Sequence, residues 1–385
     1  MFSARTNWNL SPNRFAQAVE QVRASGAAIL DLTVSNPTEC DFRYDGETVW
    51  EAFRNRAALC YEAQPKGLLA AREQVARYYS EDHGISVDPG SIFLTTSTSE
   101  AYSYVFRLLC NPQDELLVPK PSYPLFEYLA DLQDVVLVPY ALEYAHGWFV
   151  DLPSVVRSLS PRTRAILLVH PNNPTGSYLR ADEVTRLNDL CRQRDLALIV
   201  DEVFLDYAFA GGHPRSFVAN VDALTFTLSG LSKIAALPQM KVAWVTTTGP
   251  RQFVRTALDR LEIIADTYLS LNTPTQGALA ALLEQRRLLQ PQLKQRIEEN
   301  RALLGAQLSG RQNWQLLAAE GGWYAVLRGK GEFSEEEFVI ELLRKHRVLL
   351  HPGHFYDFAQ EGHLVLSLIT PGETFREGIR RLLGT

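Results

Sequence analysis

The middle of the chain alternates short apolar runs with amphipathic segments. The apolar runs are continuous, which is typical of strands that are buried on both faces of a sheet. We predict strands at residues 92–96, 115–118, 135–139, 164–170, 196–200, 223–228 and 241–247, and helices at 100–109, 125–132 and 182–194. The alternation of strands with helices predicts an α/β unit with a mostly parallel sheet covered by helices.

The pattern changes after Pro250. Long charged helical stretches dominate residues 276–308, and they are followed by strands at 323–327 and 364–369 and helices at 335–345 and 374–383. This part of the chain predicts a smaller α+β unit. The first forty residues contain one helix and a turn rich in Pro and Asn, and either unit can accommodate them.

Composition narrows the class of protein. The 385 residues include 46% apolar residues, which is enough material for a large core, and about 150 residues per domain indicates two or three units. A formal net charge of −6 argues against a nucleic-acid surface, which needs clustered Lys and Arg. We expect no partner of that kind.

The four cysteines are widely spaced and form no C-x-x-C motif, so the sequence favours a reducing compartment over a zinc site or a disulfide framework. The first residues lack the basic start and apolar run of a signal peptide. No apolar stretch approaches the roughly 18 residues of a membrane span. We therefore expect a cytoplasmic protein without a metal and without a membrane partner.

Four loops follow predicted strands, and in such sheets ligands bind beyond the carboxyl ends of the strands. The first loop, residues 95–100, offers hydroxyls and free backbone N–H groups at a helix start, which suit a phosphate. An ordinary helix cap has the same composition. The second loop, residues 170–176, is stiffened by two prolines and a glycine. It either presents a fixed Asn173 amide or is only a tight turn.

The third loop places Asp201 at the end of an apolar strand, where a carboxylate is costly unless it is paired. Asp201 either keeps a ring nitrogen protonated, or caps a helix or forms a buried ion pair. The fourth loop sets Lys233 among small and apolar residues, which favour the neutral amine that forms Schiff bases. A surface lysine is the alternative. Lys241, eight residues further on, is a candidate for contacting a phosphate.

The four loops are more specific together than separately. Pyridoxal 5′-phosphate (PLP) needs an anchored phosphate, a protonated ring nitrogen and a lysine for its aldehyde. A phosphate loop, a rigid Asn, a strand-end Asp and a reactive Lys occur in this order within one predicted α/β unit. The sequence therefore predicts a PLP-dependent enzyme in which Lys233 carries the Schiff base.

Three motifs resemble those of one enzyme family. Residues 170–176 resemble N-P-x-N-P-T-G, with His170 in place of the first Asn. Residues 201–204 match D-E-x-[YF], and residues 232–241 resemble the family's lysine segment. Over nearly its whole length the chain is similar to the class I/II aminotransferases, the aspartate-aminotransferase-like group of PLP enzymes.

The resemblance implies the PLP-dependent transferase fold. Its large α/β domain, with a mostly parallel sheet, is expected at residues 42–270. Its small α+β domain is expected to combine the two chain ends, residues 1–41 and 271–385.

The same resemblance implies the roles of the residues around the cofactor ring. Lys233 is implied to hold PLP and to move the substrate's proton. Asp201 is implied to pair with the ring nitrogen, Asn173 to contact the O3′ side and Tyr123 to stack on the ring.

Further residues are implied to hold the phosphate. Thr98 and Ser99 correspond to donors at the start of a helix, and Lys241 stands where the family has Arg or Lys. Tyr61 matches a tyrosine that reaches the neighbouring subunit's phosphate. The resemblance therefore implies a homodimer with shared active sites.

Two positions depart from the family pattern. Phe204 stands where a tyrosine often donates to O3′, and Tyr207 is a candidate replacement. Val365 stands where an arginine usually binds the substrate's α-carboxylate. Three side chains are candidates for replacing that arginine: His351, His354 and Lys120.

The implied activity is ping-pong transamination between an amino donor and an oxo acid, and the sequence names neither substrate. Because Val365 cannot bind a carboxylate, a PLP-dependent lyase that eliminates at a C–S bond, or a decarboxylase, is an alternative on the same fold. A non-catalytic PLP-binding protein is a further alternative.

Overall fold

The computed structural model describes residues 1–210, 212, 214–331 and 333–384. Its strands, in chain order, are β1 (Leu30–Asp31), β2 (Ile92–Thr95), β3 (Glu115–Lys120), β4 (Val136–Tyr144), β5 (Trp148–Val150), β6 (Thr163–Val169), β7 (Ala197–Asp201), β8 (Thr225–Gly230), β9 (Ala243–Thr248), β10 (Trp314–Leu316), β11 (Tyr324–Gly329), β12 (Val348–Leu349), β13 (His351–Pro352) and β14 (His363–Ser367).

The largest sheet has the spatial order β2-β9-β8-β7-β6-β3-β4-β5. The five strands from β8 to β4 in this order run parallel to their neighbours, whereas the pairs β2–β9, β9–β8 and β4–β5 are antiparallel. The predicted α/β architecture with a mostly parallel sheet is confirmed. The central strands β6, β7 and β8 are buried along nearly their whole length because helices cover both faces of the sheet.

The helices are α1 (Arg14–Ala24), α2 (Gly46–Ala52), α3 (Leu69–His83), α4 (Thr98–Leu109), α5 (Phe126–Asp131), α6 (Leu152–Arg157), α7 (Ala181–Arg194), α8 (Leu231–Ile234), α9 (Arg251–Tyr268), α10 (Thr273–Glu284), α11 (Arg286–Leu308), α12 (Glu335–His346) and α13 (Gly372–Leu382). Sequence analysis did not predict α2, α3, α6, α8 or α9. The fully buried positions of α9 are Ala257, Leu261 and Ala265, and a stripe with two alanines gives a weak periodic signal.

Both chain ends contribute to a second core. Phe15 and Val22 of α1 pack in the same cluster as Leu343 of α12 and Phe375 of α13. The strands beside this core form an antiparallel sheet of order β10-β11-β14-β13 and a parallel pair of β1 with β12.

Helix α10 follows the expected domain boundary at residue 270 in sequence, but it packs with the large unit. Its Leu279 and Leu282 pack in one cluster with Val49 of α2 and Val75 of α3. That cluster also contains residues of the large sheet, such as Trp244 of β9. Packing therefore joins α10 to the large sheet, and the chain leaves this unit with α11.

The topology decides where functional side chains can meet. Strands β6, β7 and β8 are neighbours and parallel, so their carboxyl ends lie at one edge of the sheet. The loop after β6, the end of β7 and helix α8 after β8 therefore converge there. Strands β2 and β8 both pair antiparallel with β9, so they run in the same direction. Helix α4, which follows β2, therefore begins at the same edge of the sheet.

Candidate active site

A cavity of about 590 Å³ lies at this edge of the large sheet. Six of the eight site residues predicted from the sequence line it: Thr98, Tyr123, Asn173, Asp201, Lys233 and Lys241. Ser99 is not part of the lining, although it follows Thr98 in the first turn of α4. Tyr61 lies elsewhere, in a surface hollow shared with Tyr104 and Ser270, and its side chain is 76% exposed.

Lys233 lies in α8 with its amine between the two units of the chain. Its Nζ donates to the carbonyl oxygen of Ser35 at 3.2 Å and lies 4.6 Å from the ring centroid of Trp323. Burial lowers the pKa of Lys233 from 10.5 to about 8, against the opposing effect of the nearby Asp201 charge. A lysine with this pKa has a substantial neutral fraction near neutral pH, and the neutral amine is the reactive form.

Asp201 ends β7 and is buried. Its Oδ2 accepts from the Tyr102 hydroxyl at 2.9 Å, and its Oδ1 accepts from the backbone N–H of Val203 at 3.0 Å. Burial raises the pKa of Asp201, while these two hydrogen bonds and the Lys233 charge oppose that rise. Sequence analysis missed Tyr102. No local signal marked it, because a tyrosine within the predicted helix 100–109 is equally typical of a core aromatic.

The loop after β6 is rigid and holds Asn173 in the cavity wall. Its neighbour Asn172 accepts from the Thr175 hydroxyl at 2.9 Å and donates its backbone N–H to Ser177 at 2.9 Å. The Oδ1 of Asn173 is buried and has no hydrogen-bond partner within the protein. An orphaned buried amide oxygen indicates a place where a ligand group completes the hydrogen bonding, either directly or after a flip of the amide.

The part of the cavity wall formed by the start of α4 suits an anion. Helix α4 starts there with Thr98, and its N-cap, the Ser97 hydroxyl, accepts from the backbone N–H of Glu100 at 3.2 Å. The Glu100 carboxylate accepts from the backbone N–H of Thr96 at 2.7 Å and from the Ser270 hydroxyl at 2.8 Å. The helix N-terminus and the ammonium of the lining residue Lys241 both favour negative charge.

His170, which replaces the first Asn of the family motif, is a structural residue. It is buried, and its Nδ1 accepts from the backbone N–H of Leu179 at 3.1 Å. Burial lowers the pKa of His170 from 6.5 to about 3, so the ring is neutral at physiological pH. It does not line the cavity.

Phe204 lines the cavity and packs edge-on against Trp323, with ring centroids 5.3 Å apart. The suggested replacement donor, Tyr207, is engaged elsewhere, because its hydroxyl donates to the backbone carbonyl of Lys233 at 2.6 Å. Tyr207 therefore fixes the backbone that carries the lysine.

Val365 lies on β14 and is 1% exposed, in an apolar cluster with Trp148, Leu317, Val326 and Tyr356. Its cross-strand partners are Val326 on β11 and His351 on β13.

The three candidate replacements for an arginine at this position are not part of the cavity lining. Lys120 pairs with Asp357 at 3.0 Å, while His351 bonds Tyr356 and His354 bonds Glu335. Among the described residues that line the cavity, the cationic side chains are Lys233 and Lys241.

The residues fit PLP from one end to the other. The helix N-terminus and Lys241 suit a phosphate, and the Asp201 carboxylate could hold a ring nitrogen protonated. Asn173 offers an unpaired amide oxygen, and Lys233 offers an amine of lowered pKa.

Within the described part of the chain, His, Cys, Asp and Glu side chains form no cluster that could hold a metal ion. The described helices include none that is long and apolar enough to cross a membrane.

Comparison with known proteins gives consistent similarities. The family model described as "Aminotransferase class I and II" matches residues 52–382. The chain is 25% identical over 369 residues to the glutamate-pyruvate aminotransferase AlaA of Haemophilus influenzae, which covers 94% of this chain and 91% of that protein. It is 29% identical over 382 residues to the arginine–pyruvate transaminase AruH of Pseudomonas aeruginosa, with 97% of this chain and 93% of that protein covered.

Solved structures share the fold. An alanine aminotransferase from Pyrococcus furiosus superposes with a TM-score of 0.87 at 22% identity, covering 99% of this chain and 98% of that chain. The fold is therefore shared with a protein of distant sequence.

Proposed function

The chain belongs to the class I and II aminotransferases, and on this premise we propose that it transfers an amino group between an α-amino acid and an oxo acid with PLP held at Lys233. The observation that carries the proposal is the single cavity that gathers Lys233, Asp201 and Asn173 at adjoining strand ends. The family is PLP-dependent, and the donor set of the cavity supports the same cofactor for this chain. The names of the relatives favour transamination over β-elimination, decarboxylation or non-catalytic binding.

When bound, PLP supplies an electron sink that stabilises the negative charge left on a substrate's Cα after loss of its proton. Lys233 would hold the cofactor's aldehyde carbon until the substrate amine takes its place. The freed, neutral Lys233 Nζ would take the proton from the substrate's Cα and deliver it to the carbon that had been the cofactor's aldehyde. Because burial lowers the pKa of Lys233 to about 8, the amine can accept and release this proton near neutral pH.

The other predicted residues hold and orient the cofactor. Asp201 would keep the ring nitrogen protonated, and the side-chain amide N–H of Asn173 would donate to the O3′ oxygen. The start of α4, with Thr98 and Ser99, would bind the phosphate together with Lys241. The half-exposed ring of Tyr123 would cover one face of the cofactor.

Pyruvate and alanine are the proposed oxo acid and amino acid of one half-reaction. The relatives AlaA and AruH both carry pyruvate in their names, and the structure from Pyrococcus furiosus is named an alanine aminotransferase. Because Val365 is buried in an apolar cluster, the substrate carboxylate would meet neutral donors, not a guanidinium. We therefore expect a KM for alanine that is high in comparison with enzymes that use an arginine fork.

A single-turnover experiment tests the activity. Holoenzyme mixed with alanine in the absence of an oxo acid is expected to release one equivalent of pyruvate per active site and then stop. Addition of 2-oxoglutarate or another oxo acid should restart pyruvate release. Continuous release of carbon dioxide from alanine, or of pyruvate, ammonia and sulfide from cysteine, without an oxo acid would contradict transamination and indicate a decarboxylase or a C–S lyase.

We also propose a domain division, an oligomeric state and a compartment. The large domain would comprise residues 42–270, extended by α10. The small domain would comprise residues 1–41 with α11 and the residues after it, and the shared cores support this division.

A homodimer would bring the exposed Tyr61 to the neighbouring subunit's phosphate. The four cysteines form no disulfides, which supports a cytoplasmic enzyme.

A further inference from the structure

Tyr102 links two parts of the site that are far apart in sequence. It lies in α4, and its hydroxyl donates to Oδ2 of Asp201 at 2.9 Å. Its side chain is 2% exposed, and its ring is held edge-on by Phe126, with centroids 5.4 Å apart, and against Phe106 at 5.8 Å. Packing on both sides fixes the hydroxyl on the carboxylate.

Helix geometry couples this contact to the anion end of the cavity. Thr98 and Tyr102 are four residues apart in α4, so they lie on the same face about one turn apart. The same rigid helix therefore presents its N-terminus to the phosphate position and a hydroxyl to Asp201. A shift of α4 along its axis would move both contacts together.

The hydrogen bond favours the ionised form of Asp201. A donor to a carboxylate stabilises the charge, and it opposes the effect of burial on the pKa of Asp201. Burial and the adjacent Asp201 charge raise the pKa of Tyr102 well above 10, so the phenol keeps its proton at any physiological pH. The other groups facing Asp201 are the backbone N–H of Val203 and the ammonium of Lys233.

We propose that Tyr102 is a positioning residue for the cofactor: through Asp201 it keeps a buried carboxylate ionised and aimed at the ring nitrogen, in fixed register with the phosphate end of α4. The proposal rests on the proposed PLP function. Tyr102 acts on the carboxylate and not on the substrate, so its removal is expected to weaken cofactor binding more than it alters substrate affinity.

The test is the dissociation constant of PLP, measured by titrating the apoenzyme and following quenching of tryptophan fluorescence. Y102F is expected to bind PLP roughly tenfold more weakly than wild type, because one hydrogen bond to a charged group is lost. The matched control is Y140F, in which an equally buried tyrosine loses a hydroxyl that donates to the carbonyl of Leu167, away from the cavity. Y140F is expected to bind PLP as wild type does.

Two further measurements separate positioning from loss of packing. In the D201N background, Y102F should add little or no further loss of PLP affinity, since Tyr102 acts through the carboxylate. In Y102F, the fall of PLP affinity on acidification should begin at a higher pH than in wild type, because Asp201 has lost a donor that holds its pKa down.

Equal PLP affinities of wild type and Y102F would overturn the proposal, as would an unchanged effect of Y102F in the D201N background. A fall of PLP affinity on acidification that begins at the same pH in Y102F as in wild type would also overturn it. Wild-type apoenzyme that binds no PLP is a different result, and it would overturn the proposed function itself.

Discussion

At the scale of single residues, the chemistry depends on how the surroundings of Lys233 and Asp201 change two ordinary side chains. Burial removes water from both, and it lowers the pKa of the lysine while raising that of the carboxyl. Their mutual attraction and the donor Tyr102 act against these shifts. The result is an amine that can be neutral beside a carboxylate that can remain charged, which is the combination that PLP chemistry requires.

The reactivity of Lys233 toward PLP should follow its lowered pKa. The rate at which apoenzyme regains cofactor is expected to rise with pH and to level off above about 8, because the neutral amine is the nucleophile. An ordinary lysine would continue to gain reactivity up to a pKa of 10.5. Stopped-flow absorbance over this pH range checks the prediction.

Chemical mapping provides the control. Borohydride reduction followed by peptide mass analysis should place the cofactor on the peptide containing Lys233, and K233A should retain none. A plateau only above pH 10, or a label on another lysine, would contradict the assignment.

At the scale of elements, the loop after β6 connects the two units of the chain. Gly176 adopts φ = 69°, and its carbonyl accepts from the backbone N–H groups of Glu320 and Gly321 at 3.0 Å each. A Cβ at this glycine would lie 2.3 Å from the carbonyl oxygen of Gly321. The glycine therefore permits a close backbone approach that holds Asn173, three residues earlier, against the rest of the site.

Replacing Gly176 should disturb both stability and cofactor binding. G176A is expected to lower the free energy of unfolding by about 2 kcal/mol or more, because a strained left-handed φ is combined with a backbone clash. G310A is the matched control, since Gly310 has φ = 77° and nothing within 4 Å of its added Cβ. Thermal unfolding and PLP titration measure both effects.

G310A should lower the free energy of unfolding only by the cost of the left-handed φ, about 1 kcal/mol, and should keep wild-type PLP affinity. If G176A and G310A behave alike, then the approach of Gly321 does not constrain the loop, and the explanation given for Gly176 is wrong.

At the scale of the whole molecule, the cavity is shared by distant parts of the chain. Ser35 comes from the N-terminal part and Tyr324 from β11, while the cofactor residues come from the large sheet. The proposed dimer adds a further contribution, because Tyr61 is exposed and lies outside the cavity of its own subunit. Movement between the units, or between subunits, would therefore act directly on the site.

Hybrid dimers test the shared site. K233A and Y61A chains are each expected to have low activity, and a mixture in which subunits have exchanged should regain about a quarter of wild-type activity. Half of the dimers in such a mixture are hybrids, and one of their two sites then combines an intact Lys233 with the partner's intact Tyr61. Activity is measured at limiting PLP before and after exchange.

Each variant exchanged with itself is the control and should gain nothing. If Tyr61 acts within its own subunit, or if it has no role at the phosphate, the mixture will show no activity above the sum of its parts.

Part of the site followed from sequence because it depends on local chemistry. Prolines and a glycine fix the turn around Asn173, an apolar run marks the strand before Asp201, and hydroxyls mark the start of α4. Such signals need only neighbouring residues and the rule that ligands bind at strand ends. They were sufficient for the α/β fold and for five of the six predicted residues that line one cavity, whereas Tyr123 came from the family resemblance.

Only the tertiary structure decided contacts between residues that are distant in sequence. The bond from Tyr102 to Asp201 spans 99 positions, and the approach of Gly321 to Gly176 joins two units. Nothing local distinguishes Tyr102 from any other core aromatic, nor Val365 from any other strand residue, until packing shows what each one faces. The sequence by itself determined which chemical groups stand at strand ends. The three-dimensional packing decided their charge states and partners, because burial and long-range hydrogen bonds set both.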